Sequence, residues 1–278
     1  MKQVTLGSDP EVFLCHPTTR AFVPVCGKLG GTKEKPIAMT GLGTGYAVQE
    51  DNVMLEFNIP ACRSYRSFTE SMELALAYVW DLARTRLDAT IAPTCSALFP
   101  MPDLMQPGAM TFGCSPDFDA YAAGSPHPRV DPKSLRTENG EWRFAGGHIH
   151  LGYSKEDVPP FVAAQFADLW LGLPSVRNDK QGKRRELYGK AGRYRPTKYG
   201  IEYRTLSNFW LFDPGLLEQV AANAERLAVY LSNTPNRQLQ KHYAEIPWKE
   251  VQTAIDTENE VLAADISVFS RNLIRGDF

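Results

Sequence analysis

The chain has 278 residues, 43% of them hydrophobic and 22% charged, with a formal net charge of −2. That composition is ordinary for a soluble globular protein, long enough for one large domain or two small ones. The near-neutral balance excludes a global field for nucleic acid or membrane. No apolar run reaches spanning length, and no basic segment with an apolar core opens the chain.

Five cysteines, Cys15, Cys26, Cys62, Cys95 and Cys114, are odd in number, widely spaced and free of any CxxC pair. They argue against a disulfide scaffold or a structural zinc knuckle and for buried thiols in a reducing cytoplasm.

Residues 3–14, QVTLGSDPEVFL, read as a strand broken by a tight turn. Asp9 and Glu11 share a face if the strand continues through Pro10, which confines the segment to an edge, a bulge or a strand start. Residues 15–48 are irregular, and GKLGGTKEKP within them is a loop carrying Lys28, Lys33 and Lys35. It lacks the Walker A spacing, and Gly41, Gly43 and Gly45 miss the dinucleotide fingerprint.

Tyr46 to Pro60 reads as a long strand, YAVQEDNVMLEFNIP, with Glu56 set between Leu55 and Phe57. A carboxylate inside such a run is costly to bury unless paired or bound to a cation. Glu50 lies at an even offset from Glu56, hence on the same face, but about 20 Å away along a straight strand. A hairpin or bulge at Glu50-Asp51-Asn52 would bring the two together, and Asp-Asn suits a turn.

Ser67-Phe68-Thr69-Glu70 reads as a capping box opening a helix to about Leu87, with Met72, Ala75, Leu76, Val79, Leu82 and Ala83 as its apolar stripe. From Ala92 to Trp142 the chain is rich in proline and glycine, a stretch of the kind that covers a site. His127 within it reads as a surface residue.

Trp142 to Tyr153 contains GGHIHLG and reads as the central strand, with His148 and His150 on one face. A helix follows from Pro159 to about Leu173. Between Arg177 and Arg204 stand ten basic residues against three acidic ones, an asymmetry that marks an anionic partner. Residues 199–212, YGIEYRTLSNFWLF, return to a strand with Glu202 and Arg204 on one face. Asp213-Pro214 caps a helix to about Leu231, and the chain from Pro247 onward reads as helical.

Collected, the strand-borne groups are Asp9, Glu11, Glu50, Glu56, His148, His150 and Glu202. Carboxylates gathered at one cleft repel one another unless divalent cations lie among them. Oxygen-dominated ligation with few imidazoles suits magnesium, or manganese, better than zinc, since only His16, His127 and His242 remain. Such a site facing lysine and arginine loops points to phosphoryl transfer on a nucleotide.

The order SDPE, EDNVMLEFN, GGHIHLG, GIEYR resembles the glutamine synthetase and glutamate–cysteine ligase superfamily. Its phage-type carboxylate–amine ligase (amidoligase) family is the closest branch, on the strength of GSDPEVF, the GGTKEKP loop and YGIEYRTLSNFW. The resemblance spans about residues 3–212.

It implies an α+β fold: a curved antiparallel sheet of glutamine synthetase catalytic-domain type with helices packed on its outer face. It further implies a single catalytic domain over residues 1–278, with the site drawn from 3–212 and helices in 213–278. The first acidic strand begins at residue 3, so a small amino-terminal domain ahead of it is not expected.

By the same resemblance, Glu11, Glu50 and Glu56 hold one magnesium, and Asp9, His148 and Glu202 a second. Asp9 departs from the superfamily's usual glutamate. His150 lies near the nucleotide or acyl phosphate, and Arg204 steadies the transferred phosphoryl group. Lys28, Lys33, Lys35, Arg184, Arg185, Lys190, Arg193 and Arg195 surround the phosphates, with Lys33 also counted as catalytic.

The implied reaction is ATP- and magnesium-dependent amide formation through an acyl phosphate, in the cytoplasm (a host's, if phage-encoded), from an acid and an amine. Three alternatives stand beside it. One is a phosphagen-kinase-like or ATP-hydrolysing phosphotransferase on the same site. Another is a nucleic-acid-binding module using 177–204, and the third is a zinc hydrolase.

Overall fold

A computed structural model describes residues 3–110, 117–126, 132–154 and 157–274. Along the chain come β1 (Thr5–Ser8), β2 (Glu11–Cys15), β3 (Phe22–Val23), β4 (Ile37–Ala38), β5 (Ala47–Asp51) and β6 (Met54–Asn58). Helix α1 (Tyr65–Leu87) leads to β7 (Thr90–Ala92) and β8 (Ser96–Phe99), then to α2 (Pro107–Met110). Short strands β9 (Phe118–Asp119), β10 (Ser125–Pro126) and β11 (Arg136–Thr137) precede β12 (Gly140–Phe144) and β13 (Ile149–Gly152). Helix α3 (Pro160–Ala167) runs through a π-helical stretch, Asp168–Gly172, into α4 (Leu173–Ser175), and α5 (Lys183–Leu187) follows. Strands β14 (Arg193–Pro196) and β15 (Gly200–Tyr203) complete the sheets, and α6 (Pro214–Asn233), α7 (Asn236–Glu245), α8 (Trp248–Asp256) and α9 (Glu260–Ile274) close the chain.

Every strand pairing among the described residues is antiparallel. One sheet runs β1-β13-β15-β14-β9-β10, a second β3-β2-β6-β5-β4 with β7 on β2, and a third β11-β12-β8. Two of the chain segments that pass between sheets border the cleft. β1 turns at Asp9-Pro10 into β2, and the backbone N–H of Phe57 donates to the Pro10 carbonyl at 3.2 Å. β12 passes through Ala145–His148 into β13, where the Glu11 N–H donates to the Gly146 carbonyl at 2.9 Å. These crossings curl the sheets around a cleft, with α1, α3 and α6 packed behind: α1 on β1, β6 and β7, α3 on β14 and β15, α6 on β1 and β13. The fold is α+β.

β2 is buried on both faces, which is why VFLC reads as an unbroken apolar run. Val12 and Leu14 enter the large core with Leu55, Phe57, Phe68 and Trp210. Phe13 and Cys15 point the other way, into a smaller cluster where Phe13, Phe22 and Phe99 pack with ring centroids 5.6 to 6.0 Å apart. None of the helices among the described residues is long and apolar enough to cross a membrane.

Several elements differ from the sequence reading. Helix α1 starts one turn earlier, because Ser64 rather than Ser67 is the cap. Ser64 accepts from the Ser67 N–H, and the Ser67 side chain answers the Ser64 N–H, a capping box in which serine replaces the usual glutamate. The long strand over 46–60 is a hairpin. Its two-residue turn, Asn52-Val53, has Asn52 at φ 59°, a conformation asparagine tolerates. The central strand over 142–153 is interrupted at Ala145–His148, and the strand over 199–212 stops at Tyr203 before a 3₁₀ turn, Asn208–Phe212. Helix α6 stands where Asp213-Pro214 put it and α8 and α9 lie in the stretch from Pro247 onward, while α7 falls between the two. Asp213 caps α6 by accepting from the Leu216 N–H at 3.0 Å.

Candidate active site

β13 lies between β1 and β15, and the registers Gly7↔His150 and His150↔Glu202 put His150 opposite both. Gly7 has no side chain to cover the ring, and Asp9, two residues on, reaches it: Asp9 Oδ1 lies 3.1 Å from His150 Nε2. The same oxygen is 3.4 Å from His148 Nδ1, which is 3.5 Å from Glu202 Oε1. The other His150 nitrogen, Nδ1, meets the Tyr199 hydroxyl at 2.9 Å. Glycine lets the His148 ring take this position, because a Cβ on Gly146 would lie 2.3 Å from His148 Nε2.

Two arginines close this group. Arg204 donates to Glu202 and lies 2.6 Å from Asp117 through Nε, and Arg195 Nη1 approaches the Glu202 carboxylate at 3.3 Å. Burial pushes the Asp9 carboxyl up, but His150 and His148 together outweigh it and hold Asp9 well below the usual carboxylate range. Burial likewise raises Glu202, and Arg204, with His148 and Arg195, brings it below its ordinary value. Burial and then Arg204, whose Nη1 lies 3.3 Å from His148 Nδ1, lower His148 against the opposing pull of Asp9 and Glu202. His150 is raised, since Asp9 more than offsets its burial.

A second acidic group sits alongside and has no such compensation. The β2–β6 register sets Glu11 opposite Glu56. In the hairpin, Gln49 is opposite Glu56, so Asp51, two residues from Gln49, also faces the cleft. Glu11 accepts from the Gly146 N–H at 2.6 Å, and Glu56 from Gln49 Nε2 at 2.9 Å. Burial, then repulsion from Asp51, pushes Glu11 up to about 8. Burial, then Asp9, Glu11 and Asp51, pushes Glu56 up to about 9.

In each trio, Asp9/His150/Glu202 and Glu11/Asp51/Glu56, one potential ligand atom per residue lies within 4.8 Å of the others. Acids from both trios line one cavity with Lys33, Asp117, Arg184, Arg195 and Arg204, walled by Trp142, Phe144 and Tyr188. A second cavity, bordered by Gly41, Gly43, Tyr46 and Asn58, shares Asp9, Lys33 and Glu56 with the first.

The structure thus brings together Asp9, Glu11, Glu56, His148, His150, Glu202, Arg204 and Lys33. Glu50 is not among them. Its carboxylate accepts from the backbone N–H groups of Gly27, Leu29 and Gly30 at 2.6 to 2.7 Å, on the opposite face of β5. The hairpin does form, but a two-residue turn pairs odd positions with even ones, so Asp51 takes the place expected for Glu50.

Three of the ten basic residues over 177–204 serve the scaffold. Arg184, Arg185 and Arg193 are buried. Arg184 donates to the carbonyls of Thr205 and Leu206 at 3.1 and 3.0 Å, fixing the chain just after β15, and also lines the cavity. Arg185 is spent on the Gly189 and Asp179 carbonyls, and Arg193 faces Asp119 at 3.5 Å. Lys190 is half-buried and borders neither cavity, and Lys28 and Lys35 are exposed and likewise apart. Arg177, Lys180, Lys183 and Lys198 stay exposed.

His16 lies in an exposed turn, where its Nδ1 accepts from the Thr18 and Thr19 N–H groups at 3.2 Å. His242 is packed against Tyr230, its Nδ1 at 2.8 Å from the hydroxyl. His127 and Cys114 lie outside the described residues.

Asp117, Asn208 and Trp210 are additions the sequence did not single out. Asn208 Nδ2 donates to the Glu11 carbonyl at 2.9 Å, and Trp210 Nε1 to the Gly147 carbonyl at 3.3 Å, locking two site strands together. Asp51 was recoverable from hairpin register. Asp117 had no local signal.

Residues 140–264 match the family model "Phage phiEco32-like COOH.NH2 ligase-type 2". Among solved structures, a novel glutamine synthase homolog aligns at 12% identity and a TM-score of 0.39, covering 99% of this chain and 68% of that one. A GmaS/ADP complex aligns at 14% identity and a TM-score of 0.35, covering 99% of this chain and 70% of that one. No curated protein matches the chain in sequence. The matched span holds both imidazoles, Glu202 and Arg204, and over it the chain is similar to the phage phiEco32-like COOH.NH2 ligase-type 2 family.

Proposed function

We propose that the protein is a carboxylate–amine ligase that forms an amide bond at the expense of ATP, with magnesium as its metal and an acyl phosphate as intermediate; the similarity of residues 140–264 to a COOH.NH2 ligase family supports this reading. The observation that carries this reading is the Glu11/Asp51/Glu56 trio. Three buried or half-buried carboxylates face one another there, and two are pushed far above their usual range by burial and mutual repulsion. Carboxylates in that state fit a divalent cation, and their all-oxygen donor set suits magnesium or manganese. Asp9, Glu202 and one of the two imidazoles form a second donor set; Nδ1 of His148 and Nε2 of His150 both face Asp9. Bound there, magnesium would supply charge neutralisation for the phosphates.

In the first step, an oxygen of the substrate carboxylate attacks the γ-phosphorus of ATP, the bond to the β–γ bridging oxygen breaks, and ADP leaves. The amine nitrogen then attacks the acyl carbon and loses a proton, and phosphate departs with the C–O bonding pair. The side chains contribute alignment and electrostatics rather than a nucleophile. Arg204, fixed between Glu202 and Asp117, holds positive charge at a set position where the phosphoryl group would develop negative charge. Arg195 and Lys33 add to it from the cavity wall. In this reading residues 3–212 supply the site and the later helices back it, as one catalytic domain.

The test is ADP formation by the purified enzyme with ATP, magnesium and panels of acids and amines. Repeated turnover to ADP should require an acid and an amine together, with the acid alone giving no more than about one ADP per enzyme, and Glu56→Gln or Glu202→Gln should each lower turnover by about 10²-fold or more. Many turnovers to ADP without an amine, or unchanged turnover in both variants, overturns the proposal; the former outcome is that of a phosphotransferase.

A further inference from the structure

We infer that Glu50 is a positioning residue: it staples the glycine loop 27–31 through its backbone and thereby sets Lys33 between the two cavities. This rests on the ligase reading above for its catalytic consequence, though not for its geometry.

Glu50 Oε1 accepts from the N–H groups of Leu29 and Gly30 at 2.6 and 2.7 Å, and Oε2 from that of Gly27 at 2.7 Å. Three charge-assisted bonds of that length to one carboxylate are strong. They are made available by backbone shape. Gly27, Gly30 and Gly31 sit at φ 75°, 74° and 85°, so successive amides turn inward and form a concave anion nest. Such nests often receive a phosphate or another external anion. Here the chain fills its own nest from β5.

The loop is tied at both ends as well. The Val25 N–H donates to the Val53 carbonyl at 3.1 Å, and β4 pairs Ile37 with Val48. Between the nest and β4, Thr32 and Lys35 exchange backbone hydrogen bonds at 3.1 and 3.0 Å, closing a tight turn. Lys33 stands in that turn, exposed, and lines both cavities beside Asp9 and Glu56. Its charge is felt by Glu56, whose carboxyl it pulls down against the larger effects of burial and neighbouring acids.

Without the Glu50 anion, three N–H groups lose their acceptor and a glycine-rich stretch regains conformational freedom. Lys33 would then spend less time over Asp9 and Glu56. Neutral glutamine is a sharp probe, since replacing one carboxylate oxygen by NH₂ sets a donor against a donor while leaving size unchanged.

The experiment uses the full-length enzyme with Glu50→Gln, Lys33→Ala and the double variant. Amide hydrogen exchange over residues 27–31 should speed up by about tenfold or more in Glu50→Gln. The magnesium concentration for half-maximal ADP formation should stay within about twofold, because Glu50 is not a metal ligand. Lys33→Ala should cost about tenfold in kcat/KM in the wild-type background but under about twofold in the Glu50→Gln background, since the loop no longer presents the lysine. Unchanged exchange at 27–31 overturns the staple. A tenfold rise in the magnesium requirement makes Glu50 a ligand, and an equal cost of Lys33→Ala in both backgrounds makes it scaffold alone; both outcomes also overturn the proposal. If the wild-type enzyme forms no ADP, the ligase reading fails, and the exchange measurement still decides the staple.

Discussion

Glu11 and Glu56 face each other across the β2–β6 register, and neither forms an ion pair with any lysine or arginine among the described residues. Four residues from the Asp9–Glu202 side, by contrast, are drawn into mutual compensation: Asp9, His148, Glu202 and Arg204. One half of the site is electrically settled and the other is under strain, and the consequences can be measured.

The metal-free enzyme should lose stability as pH rises. Glu11 and Glu56 have folded values raised to about 8 and about 9 from an ordinary 4.5, so the folded state binds their protons more tightly. Their contribution is intact at and below about pH 4.5 and is lost progressively as pH rises through 8 to 9. Urea unfolding between pH 5 and pH 9 should show the decline. Magnesium at pH 8 should reverse it, and Glu56→Gln should raise metal-free stability at pH 8 by roughly 1–3 kcal/mol. A flat profile without metal contradicts the assignment.

Asp51→Asn should raise the magnesium concentration needed for half-maximal activity by about tenfold or more, because it removes one of three facing carboxylates. Its Cα partner in the hairpin is Met54, next to the turn, so the fold should tolerate the change. Titrating activity against magnesium in parallel with Glu50→Gln separates the two acids. Identical midpoints for Asp51→Asn and wild type would remove Asp51 from the metal site.

Arg204→Lys keeps the charge and loses the planar fork that spans Glu202 and Asp117. A single ammonium cannot hold both acids in the same geometry, and one is left partly uncompensated. The expected loss in kcat/KM is about 10²-fold or more, with circular dichroism unchanged. Near-wild-type turnover would show that position, rather than the guanidinium, is all the site uses.

Gly146→Ala places a methyl group within 2.3 Å of the present position of His148 Nε2. The imidazole must rotate away from Asp9 and Glu202, so activity should fall steeply while the thermal midpoint shifts by only a few degrees, roughly what about 1 kcal/mol produces. A crystal structure of the variant with His148 undisplaced would be decisive against this account.

The site was legible in the sequence wherever a functional group stood inside a patterned run. Glu56 was conspicuous because Leu55 and Phe57 flank it, and burial of all three is what the structure shows. His148 and His150 announced themselves by spacing and by their glycines. Glu50 was misplaced for a definite reason. Parity along one strand is a local property, whereas a two-residue hairpin turn exchanges odd and even positions, so the face toward the cleft passes from Glu50 to Asp51. The arginines misled in another way. Charge in a sequence does not reveal that Arg184 will close carbonyls just after β15, or that Arg185 will be enclosed by Gly189 and Asp179.

By itself the sequence determined the amphipathic helices, the order of four acidic or imidazole-bearing strands, and the prospect of a carboxylate-rich site. All of these rest on periodicity and on the cost of burying charge, which act over a few residues. The tertiary structure alone decided which acids are compensated and which are not. It set Asp117 on Arg204 and Glu11 on Glu56, and it gave Glu50 to the loop that carries Lys33. Electrostatic energy depends on distances of a few ångströms between residues a hundred positions apart, and only the folding of the sheets around the cleft fixes those distances.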